Sequence, residues 1–107
     1  MTGGLKQYQL DRIREVFSRH PEVEEAILYG SRAKKTNTPG SDIDLTLKGQ
    51  GLNLKLLNKI SLELDDLLLP YHIDLSLYDT ITETDLREHI DQVGVLLYSK
   101  RDVHVST

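Results

Sequence analysis

Gly30-Ser31-Arg32-Ala33-Lys34-Lys35-Thr36-Asn37-Thr38-Pro39-Gly40-Ser41-Asp42-Ile43-Asp44-Leu45-Thr46-Leu47 is the stretch from which the rest of this chain is read. From Asp42 onward polar and apolar residues alternate, which predicts a half-buried strand. Asp42, Asp44 and Thr46 then share one face, and Ile43, Leu45 and Leu47 press the other against covering helices. Residues two apart on a strand lie roughly 6.6 Å apart, so at an effective dielectric near 20 two ionised carboxylates repel by about 2–3 kcal/mol. Stability alone gives no reason for that arrangement. A divalent cation reverses the sign of the energy, and hard oxygen donors are what Mg²⁺ prefers.

A second segment repeats the pattern: His72-Ile73-Asp74-Leu75-Ser76-Leu77 sets Ile73, Leu75 and Leu77 on one face and His72, Asp74 and Ser76 on the other. If the two strands pair with their apolar faces aligned, Asp42, Asp44 and Asp74 converge, enough to bridge two metal ions about 3.5–4 Å apart. The turn at Gly30-Ser31 is suited to an anion, since glycine lets the backbone approach a ligand and serine can cap or donate. A short helix after it would aim free N–H groups the same way. Arg32, Lys34 and Lys35 add positive charge, and Pro39-Gly40 turns the chain back so that the acids return to the turn. No Walker pattern is present. These residues together point to metal-assisted chemistry on a nucleoside triphosphate.

Gly30-Ser31, ten residues, Asp42-Ile43-Asp44 and the later acid Asp74 resemble the signature of the DNA polymerase beta-like nucleotidyltransferase superfamily. More narrowly, the chain resembles the minimal nucleotidyltransferases, or MNT proteins, which often accompany a separate HEPN-domain protein. The resemblance implies that Asp42 and Asp44 bind Mg²⁺, that Gly30 and Ser31 hold the triphosphate, and that Asp74 is the third carboxylate, a metal ligand that activates the acceptor hydroxyl. Arg32, the basic residue nearest the turn, is expected by its charge to join the triphosphate contacts. It also implies AMP transfer from ATP, and by analogy an antitoxin role toward a HEPN-type partner.

The 107 residues fit one domain, expected over residues 1–99 with a loose tail at 100–107. The fold class expected is α/β (α+β): a small mixed sheet of about four strands with helices packed on one face. Leu5 to His20 reads as an amphipathic helix and Val23 to Tyr29 as the first strand. A helix is expected from about Asn53 to Leu69, with Leu57, Ile60, Leu64, Leu67 and Leu68 in helical spacing, then a strand from Tyr71 to Tyr78. Thr82-Glu83-Thr84-Asp85 has capping-box form ahead of a helix that Gly94 closes, and Val95 to Ser99 reads as a final edge strand.

With no cysteine, disulfides and thiolate chemistry are excluded and a reducing, cytoplasmic setting is expected. The first residues carry no export leader pattern, and the leucine-rich stretch from Leu52 to Leu69 is broken by charges, so no membrane span is expected. A net charge of −4 disfavours an extended nucleic-acid surface. His20, His72, His89 and His104 show no metal-binding spacing and read as structural or surface residues. Because the chain lacks a second domain for an acceptor, a helical partner protein or a homo-oligomer is expected to supply that site. Two rival classes remain: a binding module that inhibits its partner by occlusion, and a metal-dependent nuclease, which would share the carboxylates but has no need of Gly30-Ser31.

Overall fold

The computed structural model describes residues 2–36 and 40–101. Pro39, and with it the expected turn at Pro39-Gly40, falls outside them, as do His104 and residues 102–107 of the expected tail. Among the described residues the strands β1 (Glu25–Tyr29), β2 (Ile43–Lys48), β3 (Ile73–Leu77) and β4 (Val95–Ser99) form one sheet in the order β3-β2-β1-β4. β1 is antiparallel to both β2 and β4, whereas β2 and β3 run parallel. A parallel pair needs a crossover, and α3 (Leu54–Asp65) supplies it. The other helices are α1 (Gln7–Ser18), the single turn α2 (Ser31–Lys34), and α4 (Thr84–Val93). The mixed α+β sheet expected from the sequence is the one observed.

The alternation in the strands builds the core. Ile43, Leu45, Leu47, Ile73, Leu77, Ala26 and Leu28 are all buried, and Leu10, Ile13, Val16 and Phe17 of α1 with Ile60 and Leu64 of α3 complete the same cluster. His20 ties the end of α1 to α3 through Glu63, its Nε2 lying 2.9 Å from a carboxylate oxygen. α4 packs on β1: a Cβ on Gly94 would run into the Ile27 side chain and the Ile90 carbonyl, so glycine is what lets the helix settle there and pass straight into β4. Arg14 Nε of α1 donates to the Leu97 carbonyl of β4 at 2.7 Å.

Several boundaries differ from the sequence reading for identifiable reasons. α3 is capped as expected, Asn53 Oδ1 accepting the Leu56 amide at 2.8 Å, but it ends at Asp65 rather than Leu69. The last turn tightens, with Leu67 N–H bonding to Leu64 and Leu68 N–H to Asp65, and Leu68 then takes the left-handed φ of 55°. Leu68 is therefore 87% exposed and not part of the helical stripe. α4 starts at Thr84 with Glu83 as its cap and no side-chain cap bond, so the capping box expected from Thr82 is not formed.

Leu68 combines a strained backbone with an unburied side chain. Leu68→Gly is expected to stabilise the protein by up to about 1 kcal/mol, the left-handed penalty less the entropy that glycine adds to the unfolded chain. A thermal unfolding midpoint at or below that of the parent would contradict this.

Candidate active site

The β2–β3 register brings the acids together. Asp44 lies directly opposite Asp74, and the aliphatic partners Ile43–Ile73, Leu45–Leu75 and Leu47–Leu77 flank them. Burying the two aliphatic rows puts both carboxylates on the other face, and with adjacent strands about 4.8 Å apart this register sets them side by side. Asp42 stands one residue before β2, exposed, where the Ile43 amide bonds to the His72 carbonyl at 2.9 Å. Burial is the largest cause pushing the Asp44 carboxyl above its ordinary range, followed by the charges of Asp74 and Asp42, while His72 and His89 pull it down. Thr46, on the same face by alternation, is fully buried, and its hydroxyl lies 3.5 Å from the Ser76 carbonyl.

Across the sheet Tyr29 is the β1 partner of Asp44. Burial raises its phenol above the usual range, a hydrogen bond with Ser76 acts in the opposite sense, and Asp44 and Asp74 raise it further. β1 ends at Tyr29 and Gly30 turns the chain into α2 with φ 76° and ψ −154°. A Cβ built on Gly30 would collide with the Asp44 carboxylate, so at this position glycine is required both by conformation and by space. The Ser31 hydroxyl makes no hydrogen bond among the described residues, whereas its carbonyl accepts from the Thr36 amide at 2.9 Å.

Two residues occupy places that the sequence did not suggest. Arg32, expected from its charge to face the triphosphate, is only 2% exposed. Its Nε and Nη2 donate to the Ser41 carbonyl at 3.1 and 2.7 Å, its Nη1 to the Gly3 carbonyl at 2.8 Å, and its guanidinium lies 4.5 Å from the centre of the Tyr71 ring. It clamps the two ends of the loop rather than reaching into solvent. His89 of α4, read from sequence as a surface or structural residue, instead stands at the site: the Gly30 amide donates to its Nε2 at 3.1 Å. Its ring meets Tyr29 edge-on, 6.3 Å between centres. No local pattern could have marked His89, because its partner is 59 residues away. Lys34 and Lys35 are exposed, as expected of a solvated loop.

Among the described residues no group of three or more His, Cys, Asp and Glu side chains stands ready to hold a metal ion. The donor set nevertheless suits Mg²⁺, which is usually held by one or two carboxylates with water and substrate phosphates completing its shell. Asp44 would be the first ligand of such an ion, its carboxyl being raised by burial and by two like charges, and it is the like charges that a cation would offset.

Residues 11–103 match the family described as Polymerase beta, Nucleotidyltransferase. The chain belongs to that family. No curated protein sequence matches it. Among solved structures, this nucleotidyltransferase resembles one described as a toxin–antitoxin with AMP-PNP, at 19% identity over 94% of this chain and 80% of the other, with a TM-score of 0.67. It also resembles the toxin–antitoxin MntA–HepT, at 18% identity over 92% and 76% of the two chains and a TM-score of 0.66. A third likeness is to the complex of a tri-AMPylated Shewanella oneidensis HEPN toxin with MNT antitoxin, at 17% identity over 95% and 79%, TM-score 0.67. At these identities the likeness is one of fold. No helix among the described residues is long and apolar enough to cross a membrane.

The raised Asp44 carboxyl has a stability consequence. A group whose folded pKa lies above its unfolded value contributes stability at pH below the unfolded value and loses it as pH rises through the folded one. At neutral pH the ionised Asp44 therefore costs stability, and Asp44→Asn is expected to raise the unfolding midpoint by a few degrees without Mg²⁺. The gain should vanish on acidification below the usual carboxylate range, where the parent is also neutral. A midpoint at pH 7 that falls, or a gain that persists in acid, would show that burial and the neighbouring acids do not raise the Asp44 carboxyl.

The Gly30 contact gives a second test. Gly30→Ala forces the turn out of its conformation or pushes the Asp44 carboxylate aside, and is expected to destabilise by about 1–3 kcal/mol. Denaturant unfolding at pH 7 measures this; a change below a few tenths of a kcal/mol would mean that the close approach is absent in solution.

Proposed function

We propose that this nucleotidyltransferase moves AMP from ATP to a hydroxyl acceptor in a Mg²⁺-dependent reaction, and that the acceptor belongs to a helical partner protein of HEPN type. The observation that supports this best is the pairing of Asp44 with Asp74 beside a glycine turn that leaves no room for a side chain. Asp42, Asp44 and Asp74 would hold the metal, which when bound supplies charge neutralisation at the phosphates. Gly30 keeps a side chain out of the space between the turn and Asp44, and the Ser31 amide and hydroxyl donate to the β- and γ-phosphates. Arg32 serves this cradle from behind, through its bonds to Ser41 and Gly3, and brings positive potential rather than direct contact.

In the reaction the acceptor oxygen attacks the α-phosphorus in line, the bond from that phosphorus to the bridging oxygen breaks, and pyrophosphate leaves. Asp74, exposed and close to its charged neighbour, accepts the acceptor's proton as general base. Because the protein forms no covalent intermediate, placement and electrostatics supply the rate. The solved relatives are described as toxin–antitoxin assemblies, one of them containing a tri-AMPylated HEPN toxin, which is the basis for naming the partner class and for an antitoxin role.

The test is incubation with labelled ATP, Mg²⁺ and the product of the neighbouring gene, followed by intact-mass analysis of that product. One or more added AMP groups are expected with the parent and none with Asp42→Ala. If Asp42→Ala still binds and restrains the partner as the parent does, control is by occlusion and nucleotidyl transfer is not the mechanism. If ATP with Mg²⁺ does not bind at all, the carboxylates serve another reaction, with nuclease activity the first alternative.

A further inference from the structure

We infer that His89 is a positioning residue for the triphosphate cradle, acting through the Gly30 amide; this role rests on the proposed binding of a nucleotide at that turn. The Gly30 amide carries a single proton, and it is donated to His89 Nε2. The imidazole nitrogen is the acceptor in this contact, so the ring serves the turn through Nε2.

The bond matters because of where Gly30 lies. Its φ and ψ belong to a region that few residues enter, no side chain caps the start of α2, and the strand ladder stops one residue earlier at Tyr29. On the helix side the turn is fastened by the Lys34 amide, 3.2 Å from the Gly30 carbonyl. On the strand side the fastening is His89. With both in place the Tyr29–Gly30 peptide is fixed in the orientation that sets the glycine against Asp44 and leaves Ser31 facing outward.

His89 is itself well anchored. The neighbouring Ile90 is buried, the Tyr78 hydroxyl bonds to Asp91 at 2.8 Å, and Gly94 seats the end of α4 on β1. The Tyr29 ring stands edge-on to the imidazole. A helix held on three sides thus offers one acceptor to one amide. With its proton given to His89, the Gly30 amide is turned from the phosphate contact expected of it in the sequence, and the donors proposed for the phosphates begin at Ser31. Loss of the acceptor frees the turn to sample other conformers, lowering the fraction able to take the triphosphate and raising KM for ATP in proportion.

His89→Phe keeps a ring against Tyr29 and removes the acceptor, whereas His89→Gln keeps an acceptor at comparable reach. Expected for His89→Phe are faster hydrogen exchange at the Gly30 amide, read by NMR without nucleotide, and a KM for ATP raised about 3–10-fold with kcat within about twofold, as fits loss of one hydrogen bond. His89→Gln should restore both the protection and the KM. Gly30 exchange as slow in His89→Phe as in the parent, an unaltered KM, or a Gln variant as impaired as the Phe variant would overturn the role. A parent with no affinity for ATP and Mg²⁺ overturns the nucleotidyl-transfer reading and this role with it. A parent that binds no better than His89→Phe overturns this role alone.

Discussion

The register between β2 and β3 is the constraint on which the molecule turns. Each strand has an aliphatic row that must be buried, which sets the acids on the opposite face, and the observed register then places Asp44 against Asp74. A slip of one residue would relieve the repulsion and expose Ile43, Leu45 and Leu47, at a cost far beyond what the separated charges would return. The core therefore holds the acids in a position that electrostatics disfavours. This is strain stored where a cation can be bound, a pattern common to functional sites.

Everything around the pair keeps other atoms from relieving that strain or filling the space. Gly30 withholds a side chain from the Asp44 carboxylate. Arg32, two residues beyond Gly30, spends three of its nitrogens on the carbonyls of Ser41 and Gly3, so it braces the loop and forms no ion pair with the acids. Lys34 and Lys35 point to solvent. Among the described residues no Lys or Arg forms an ion pair with Asp44 or Asp74, and the charges that ease Asp44 are those of His72 and His89.

The fold was legible in the sequence wherever a single periodicity governed a segment. The alternation through Asp42–Leu47 and Ile73–Leu77 foretold two strands and the face that each acid would occupy, because backbone geometry alone sets that pattern. The Gly30-Ser31 turn and the family resemblance were likewise local properties. What escaped notice depended on atoms distant along the chain. Leu68 has the spacing of a helical core residue, yet its helix has already unwound through tightened last-turn bonds. Arg32 looked like a phosphate ligand because its charge is visible and its burial under Tyr71 is not. His89 gave no sign, since only the tertiary packing of α4 on β1 delivers it to Gly30.

The contact between Arg14 and Leu97 bears on a different matter, the fate of the sheet's open flank. Among the described residues β4 ends the sheet, and its first residues Val95 and Leu96 are exposed, so it offers a template on which another chain could add a strand. Arg14 of α1 occupies the Leu97 carbonyl at the point where the β1–β4 register shifts, so a helix is fastened to the strand next to this exposed pair. Any chain adding to the flank would meet Val95 and Leu96 first, with a guanidinium held nearby.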